Sequence, residues 1–187
     1  MQDYREFLGE VLITEETLQK RVAELAAEIN QDYAGQDLVL LCILRGGMVF
    51  LVDLMRQINV PHEIDIMAIS SYGLGMRESH GNVRLTLDLK IDIRNRNVLL
   101  VEDIIDSGNT IAYVLEFLST RLPKSLKVCS LLDKEDRREV VVPIHYRGFT
   151  IPDKYVFGYG LDIDEYYRNL PFIGVVDLDK YQTPIRE

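Results

Sequence analysis

No apolar run in the chain approaches the ~20 residues needed to cross a bilayer, so a membrane-spanning helix is not expected. The first ten residues, MQDYREFLGE, carry acids where a secretory signal would carry Lys or Arg ahead of an apolar stretch. The expected location is therefore the cytoplasm, with no membrane partner. Cysteine is scarce: Cys42 and Cys129 both sit inside apolar runs, which favours two core thiols over a disulfide or a metal site. Basic residues are outnumbered 21 to 30, leaving a net charge of −9. That balance argues against non-specific nucleic-acid binding, which needs a basic surface to displace counterions. It leaves room for a small phosphate ligand, because a few local donors and a divalent cation can hold one whatever the overall field. His62, His80 and His145 lack metal-ligand spacing, and neither GxGxxG nor GxxxxGK[ST] occurs. Repeats, low-complexity tracts and Ser/Gly linkers are missing too.

What is present suits one globular domain: 187 residues, 47% hydrophobic and 27% charged. From Thr14 to Tyr33, Leu18, Val22, Leu25, Ala26 and Ile29 recur at helical spacing. Thr14 is placed as an N-cap, although Thr17 stands where a full capping box would carry an acid. Residues 38–44 (LVLLCIL) are too short for a helix and read as a strand buried on both faces. Arg45-Gly46-Gly47 interrupts, and a helical pattern resumes over 48–58. Further strands are predicted over 63–70, 98–101, 127–132, 155–159 and 172–176, and a helix over 111–122. Residues 83–89 alternate strictly, as a half-exposed edge strand does. Between them, 71–82 is polar and too long for a tight turn, so it reads as a mobile loop. Buried strands alternating with helices imply an α/β fold with a mostly parallel sheet, whose ligands bind outside the carboxyl ends of the strands.

The stretch from Val98 to Thr110 carries the chemistry. Four apolar residues run into Glu102-Asp103, Ile104 and Ile105 lead to Asp106, and Ser107-Gly108-Asn109-Thr110 opens the next helix. A strand end followed by a helix start leaves free N–H groups pointing outward, and the helix dipole favours an anion there. Ser107 and Thr110 add hydroxyl donors, and Gly108 lets the backbone approach a phosphate closely. The adjacent carboxylates of Glu102 and Asp103 suit hydrogen-bond donors or a cation instead: vicinal ribose hydroxyls and Mg²⁺. Together these features describe a sugar phosphate, with Asp106 aimed at what lies between its two ends.

This constellation resembles the thirteen-residue signature of type I phosphoribosyltransferases, in which Glu102 through Thr110 would grip phosphoribosyl pyrophosphate. The resemblance extends roughly from residue 10 to residue 177 and narrows to the hypoxanthine-guanine phosphoribosyltransferases. It implies the fold of that family over residues 1–187 as a single domain: a mostly parallel twisted sheet flanked by helices, a small hood and a flexible lid. Leu44-Arg45-Gly46-Gly47 is similar to the family's pyrophosphate loop, with Arg45 where Lys is frequent; a cis peptide at Leu44-Arg45 is part of that likeness. Ser71-Tyr72 matches the mouth of the lid. By the same resemblance Lys134 donates to the purine's exocyclic oxygen, Tyr155 stacks on the ring and the backbone of Val156 meets its Watson–Crick edge. Asp162 would hold a second Mg²⁺, beside one on Glu102 and Asp103, and Arg168 would contact pyrophosphate.

The implied reaction transfers the phosphoribosyl group to hypoxanthine or guanine, giving IMP or GMP and pyrophosphate. A purine nitrogen displaces pyrophosphate at C1 of the ribose while Mg²⁺, Arg45 and Arg168 stabilise the leaving group. Asp106 accepts the proton lost from the base. The family's usual state is a homodimer or homotetramer. A nucleotide-sensing regulator and a phosphoacceptor receiver domain are the rival readings, and a sister enzyme acting on xanthine stays open because the residues bear little on the C2 end of the ring.

Overall fold

A computed structural model of the protein describes residues 2–71 and 83–183. Tyr72 and the remainder of the expected lid lie outside them, and Ser71 enters only as the last residue of a strand. The chain begins with a short helix α1 (Tyr4–Phe7) and a strand β1 (Leu8–Ile13). α2 (Glu15–Asp32) follows, with the Thr14 hydroxyl accepting the Thr17 N–H as an N-cap should. Then come β2 (Leu38–Leu44), α3 (Met48–Met55), β3 (His62–Ser71), β4 (Val83–Leu87), β5 (Asn97–Ile105), α4 (Asn109–Ser119) and β6 (Ser125–Asp133). A single 3₁₀ turn, Glu135–Arg137, leads to β7 (Tyr146–Thr150), β8 (Val156–Phe157) and β9 (Ile173–Val176).

Six strands form the main sheet in the order β4-β3-β2-β5-β6-β7, parallel throughout except for β4. Of the alternating run 83–89, residues Val83–Leu87 form β4, and β4 is an edge strand. β2 alternates its side chains between two layers. Leu38, Leu40 and Cys42 pack with Leu18, Val22, Leu25 and Phe50 of α2 and α3, whereas Val39, Leu41 and Ile43 pack with Ile111, Val114 and Leu118 of α4. Burial on both faces explains why β2 reads as an unbroken apolar run. Cys42 and Cys129 are free and buried, as their surroundings in the sequence require.

Two expectations are refined. Of the runs at 155–159 and 172–176 only Val156–Phe157 and Ile173–Val176 are strands, and they join β1 in a separate antiparallel sheet of order β1-β9-β8, whose core is Phe7, Phe157, Ile163 and Val176. β7, unmarked by any apolar run, completes the main sheet. Tyr146 at its start is 3% exposed and donates its hydroxyl to Asp32 Oδ2 at 2.6 Å, closing α2 onto the sheet. This hydroxyl, with Lys127, holds the Asp32 carboxyl below its ordinary value of 3.8. A depressed carboxyl contributes stability above its unfolded-state value and loses it as pH falls through the folded one. Tyr146→Phe is therefore expected to cost about 1 kcal/mol in urea melts at neutral pH. The gap from the parent should narrow below pH 3.8. A gap that widens on acidification would mean that the bond does not stabilise the ionised acid.

Candidate active site

Because β2, β5 and β6 are adjacent and parallel, the segments after them emerge at one edge of the sheet. Three expected site segments meet there: Arg45-Gly46-Gly47 after β2, Asp106–Thr110 after β5, and Lys134 after β6. The Leu44-Arg45 peptide is cis. Gly46 lies flat against Asp103, where an added Cβ would fall 2.6 Å from Cγ and inside the shell of Oδ2.

Glu102 and Asp103 sit within β5, which runs to Ile105, four residues past the expected strand end at Val101. They are 8% and 7% exposed. Burial, then the charge of Asp103, lifts the Glu102 carboxyl well above the usual range; burial also raises Asp103, although Ile104 N–H donates to its Oδ1 at 2.9 Å. Glu102 Oε2 has no hydrogen-bond partner among the described residues. Two buried acids, one with a bare oxygen, are a poor arrangement for a phosphate and a good one for a hard cation. Mg²⁺ fits, since it binds through one or two carboxylates and completes its shell with water and substrate oxygens.

The anion cradle follows directly. Gly108 adopts φ +88°, and a Cβ there would collide with the Val140 carbonyl. Glu139 and Val140 both donate their N–H to Ser107 O, at 2.9 and 3.1 Å, and the Asn109 amide donates to Glu139 Oε2 at 2.6 Å. The loop after β6 thereby backs the loop after β5, and at the start of α4 Thr110 is exposed while Asn109 N–H donates to Ser107 Oγ at 3.4 Å. That backing loop is anchored by Asp133, fully buried and paired with Arg138 and with Arg147 Nε at 3.0 Å.

Asp106 is engaged by two cations: Arg137 Nε at 3.1 Å and Lys134 Nζ at 3.8 Å. The same pair reaches Asp153, Lys134 Nζ at 3.5 Å and Arg137 Nη1 at 3.3 Å. Burial alone would raise the Asp153 carboxyl, but Arg137 and Lys134 outweigh it and the net displacement is downward. Asp153 ties the approach to β8 to Lys134. Two residues later Tyr155 is 46% exposed, outside the core that an aromatic in such a strand would ordinarily join, and Val156 is buried opposite Val175.

On the far side, Gly160 packs against the Gly46 carbonyl. Arg168 donates to Gly160 O at 2.8 Å and pairs with Asp162 Oδ1 at 2.7 Å and Glu165 Oε2 at 3.0 Å. Arg45 meets the other oxygen of Glu165 at 2.8 Å. The two arginines expected at pyrophosphate therefore share one carboxylate. Both oxygens of Asp162 are taken, Oδ2 by Glu165 N–H at 2.8 Å, so a second cation there would compete with Arg168. His62 and His145 bond to backbone groups, consistent with their lack of ligand spacing; His80 lies outside the described residues.

The model of the phosphoribosyl transferase domain family matches residues 12–165 of the chain. The chain belongs to that family. Among relatives of this phosphoribosyl transferase, hypoxanthine phosphoribosyltransferase of Escherichia coli K12 is 52% identical over 171 residues, covering 90% of this chain and 96% of that protein. Hypoxanthine-guanine phosphoribosyltransferase of Mycobacterium avium is 49% identical over 178 residues, covering 92% and 87%. A crystal structure of the Staphylococcus aureus hypoxanthine phosphoribosyltransferase superposes with a TM-score of 0.91 at 42% identity, covering 96% of this chain and 97% of that one. Within this family member, sequence reasoning missed Arg137, Asp153 and Glu165. Arg137 left a local signal, since it follows Lys134 by three residues, one turn of 3₁₀ helix, and Glu165 another, since it precedes Arg168 by three.

Proposed function

We propose that residues 1–187 act as one phosphoribosyltransferase domain that transfers the 5-phosphoribosyl group from phosphoribosyl pyrophosphate to hypoxanthine or guanine, giving IMP or GMP and pyrophosphate. The observation that carries the reading is the meeting of Lys134 and Asp106 beside the anion cradle, a donor for the purine's oxygen next to an acceptor for its proton. The 5′-phosphate is bound by the N–H groups and hydroxyls of Ser107–Thr110. Glu102 and Asp103 accept from the ribose hydroxyls and would hold Mg²⁺, which neutralises charge on the pyrophosphate side when bound. Asp162 is the candidate for a second ion. As the bond from C1 to pyrophosphate lengthens, Arg45 and Arg168 turn from Glu165 to the departing oxygens. Tyr155 stacks on the purine, the Val156 backbone meets its edge, and Asp106 takes the proton from the imidazole ring as the new C–N bond forms. Ser71 and Tyr72 belong to the proposed lid that keeps water from the ribosyl centre.

The test is nucleotide formation from phosphoribosyl pyrophosphate and Mg²⁺ with hypoxanthine, guanine, xanthine and adenine in turn. Product from hypoxanthine or guanine, abolished by chelator, is expected; no product from any base overturns the reading. Lys134→Met removes the donor and is expected to raise KM for hypoxanthine by about tenfold or more, because a site built to bond a polar group loses that much when the bond is lost. An unchanged KM would remove Lys134 from base recognition.

A further inference from the structure

Asp106, Lys134, Asp153 and Arg137 form a closed ring of alternating charge, in which each acid meets both cations and each cation both acids. The four contacts are not equivalent. Lys134 to Asp106 is the longest at 3.8 Å, and Arg137 to Asp106 the shortest at 3.1 Å. The cations also differ in setting: the Lys134 side chain is 9% exposed and the Arg137 side chain 50%. Their backbones are locked together, Lys134 N–H donating to Ile105 O at 2.9 Å and Arg137 N–H to Lys134 O at 3.1 Å. One turn thus delivers both cations to the end of β5.

We propose that Arg137 is a positioning residue for the reaction. It holds Asp106 Oδ1, and so aims Oδ2 at the purine, while Lys134 is drawn away to the base. The inference rests on the general-base reading of Asp106 given above. When Lys134 turns to a purine oxygen, its weak contact with Asp106 goes, and a carboxylate on a loop is left with free rotation about two bonds. Arg137 is the partner that remains. Its planar guanidinium spends Nε on Asp106 and Nη1 on Asp153, so it also fixes the spacing between the proton acceptor and the segment leading to Tyr155. An ammonium has the charge but cannot span two carboxylates in a fixed plane, so lysine at this position substitutes only in part. Half-exposed ion pairs contribute little to stability, so a merely structural Arg137 would have no reason to couple to turnover.

Steady-state kinetics of the wild type, Arg137→Gln, Arg137→Lys, Asp106→Asn and the Asp106→Asn/Arg137→Gln double variant test this. Arg137→Gln is expected to lower kcat by about tenfold and to leave KM for phosphoribosyl pyrophosphate within about twofold, with Arg137→Lys in between. In the Asp106→Asn background the same change should alter kcat by less than about twofold, since the group it positions is gone. An unchanged kcat in Arg137→Gln overturns the proposal, and so does an equal fold-loss in both backgrounds. Should Arg137→Gln melt far below the wild type, Arg137→Lys decides alone: full activity or a loss confined to KM counts against positioning. A wild type that makes no nucleotide would bring down the functional reading itself; an active wild type with an equally active Arg137→Gln brings down only this inference.

Discussion

Asp106→Asn is expected to lower kcat by about a hundredfold or more, the range over which positioned proton acceptors contribute. The amide keeps the size and most of the hydrogen-bonding of the carboxylate but cannot take up the proton that the purine must lose. The Asp106 side chain is 43% exposed, and its pairs with Arg137 and Lys134 are near the surface, so melting should shift little. In the proposed reading, phosphoribosyl pyrophosphate is held chiefly by the backbone cradle at Ser107–Thr110 and by the buried acids of β5, neither of which the substitution touches. Its affinity, measured by calorimetry, is therefore expected to stay within about threefold while turnover collapses. Equal losses in both would identify Asp106 as a binding residue and leave the proton without an acceptor among the residues assigned here.

The elements that could be read in advance are those whose burial leaves a period in the sequence. β2 and the first half of β5 are covered on both faces and appear as apolar runs; α2 shows its stripe; β4 lies at one edge of the sheet and packs Leu85 against the core. β7 leaves no such trace, since Tyr146-Arg147-Gly148-Phe149-Thr150 gains its place from pairing with β6 and from the Tyr146 bond to Asp32. The segments at 156–157 and 173–176 are legible as strands, but their sheet is not, because β1, the partner of β9, is a mostly exposed, polar-interrupted segment far away in the chain. The site divides the same way. Glu102 to Thr110 is one contiguous motif, so its chemistry is legible without a fold. Glu165 meets Arg45 across 120 positions, and Arg137 joins Asp106 across 31, through pairings that only the assembled sheet edge brings about.

Gly46→Ala is the second substitution expected to act strongly, and it separates geometry from chemistry. The new methyl group would lie 2.6 Å from Asp103 Cγ and closer still to Oδ2. The carboxyl cannot retreat, being 7% exposed and tethered by Ile104 N–H. The loop cannot retreat either, because Gly160 is packed against the Gly46 carbonyl with no room for even a Cβ of its own. One of the two must move, and displacing a site carboxylate by about an ångström costs on the order of a hundredfold in kcat/KM. The overpacking should also cost about 1–3 kcal/mol of stability. The stability loss has a specific signature: in an Asp103→Ala background the obstructing carboxylate is absent, so adding Gly46→Ala should leave the melting temperature almost unchanged. Additive destabilisation in the double variant would show that the alanine clashes elsewhere. Retained activity in Gly46→Ala itself would mean that Asp103 is free to shift, and that the close approach of the loop after β2 to the acid pair is not what holds the site in register.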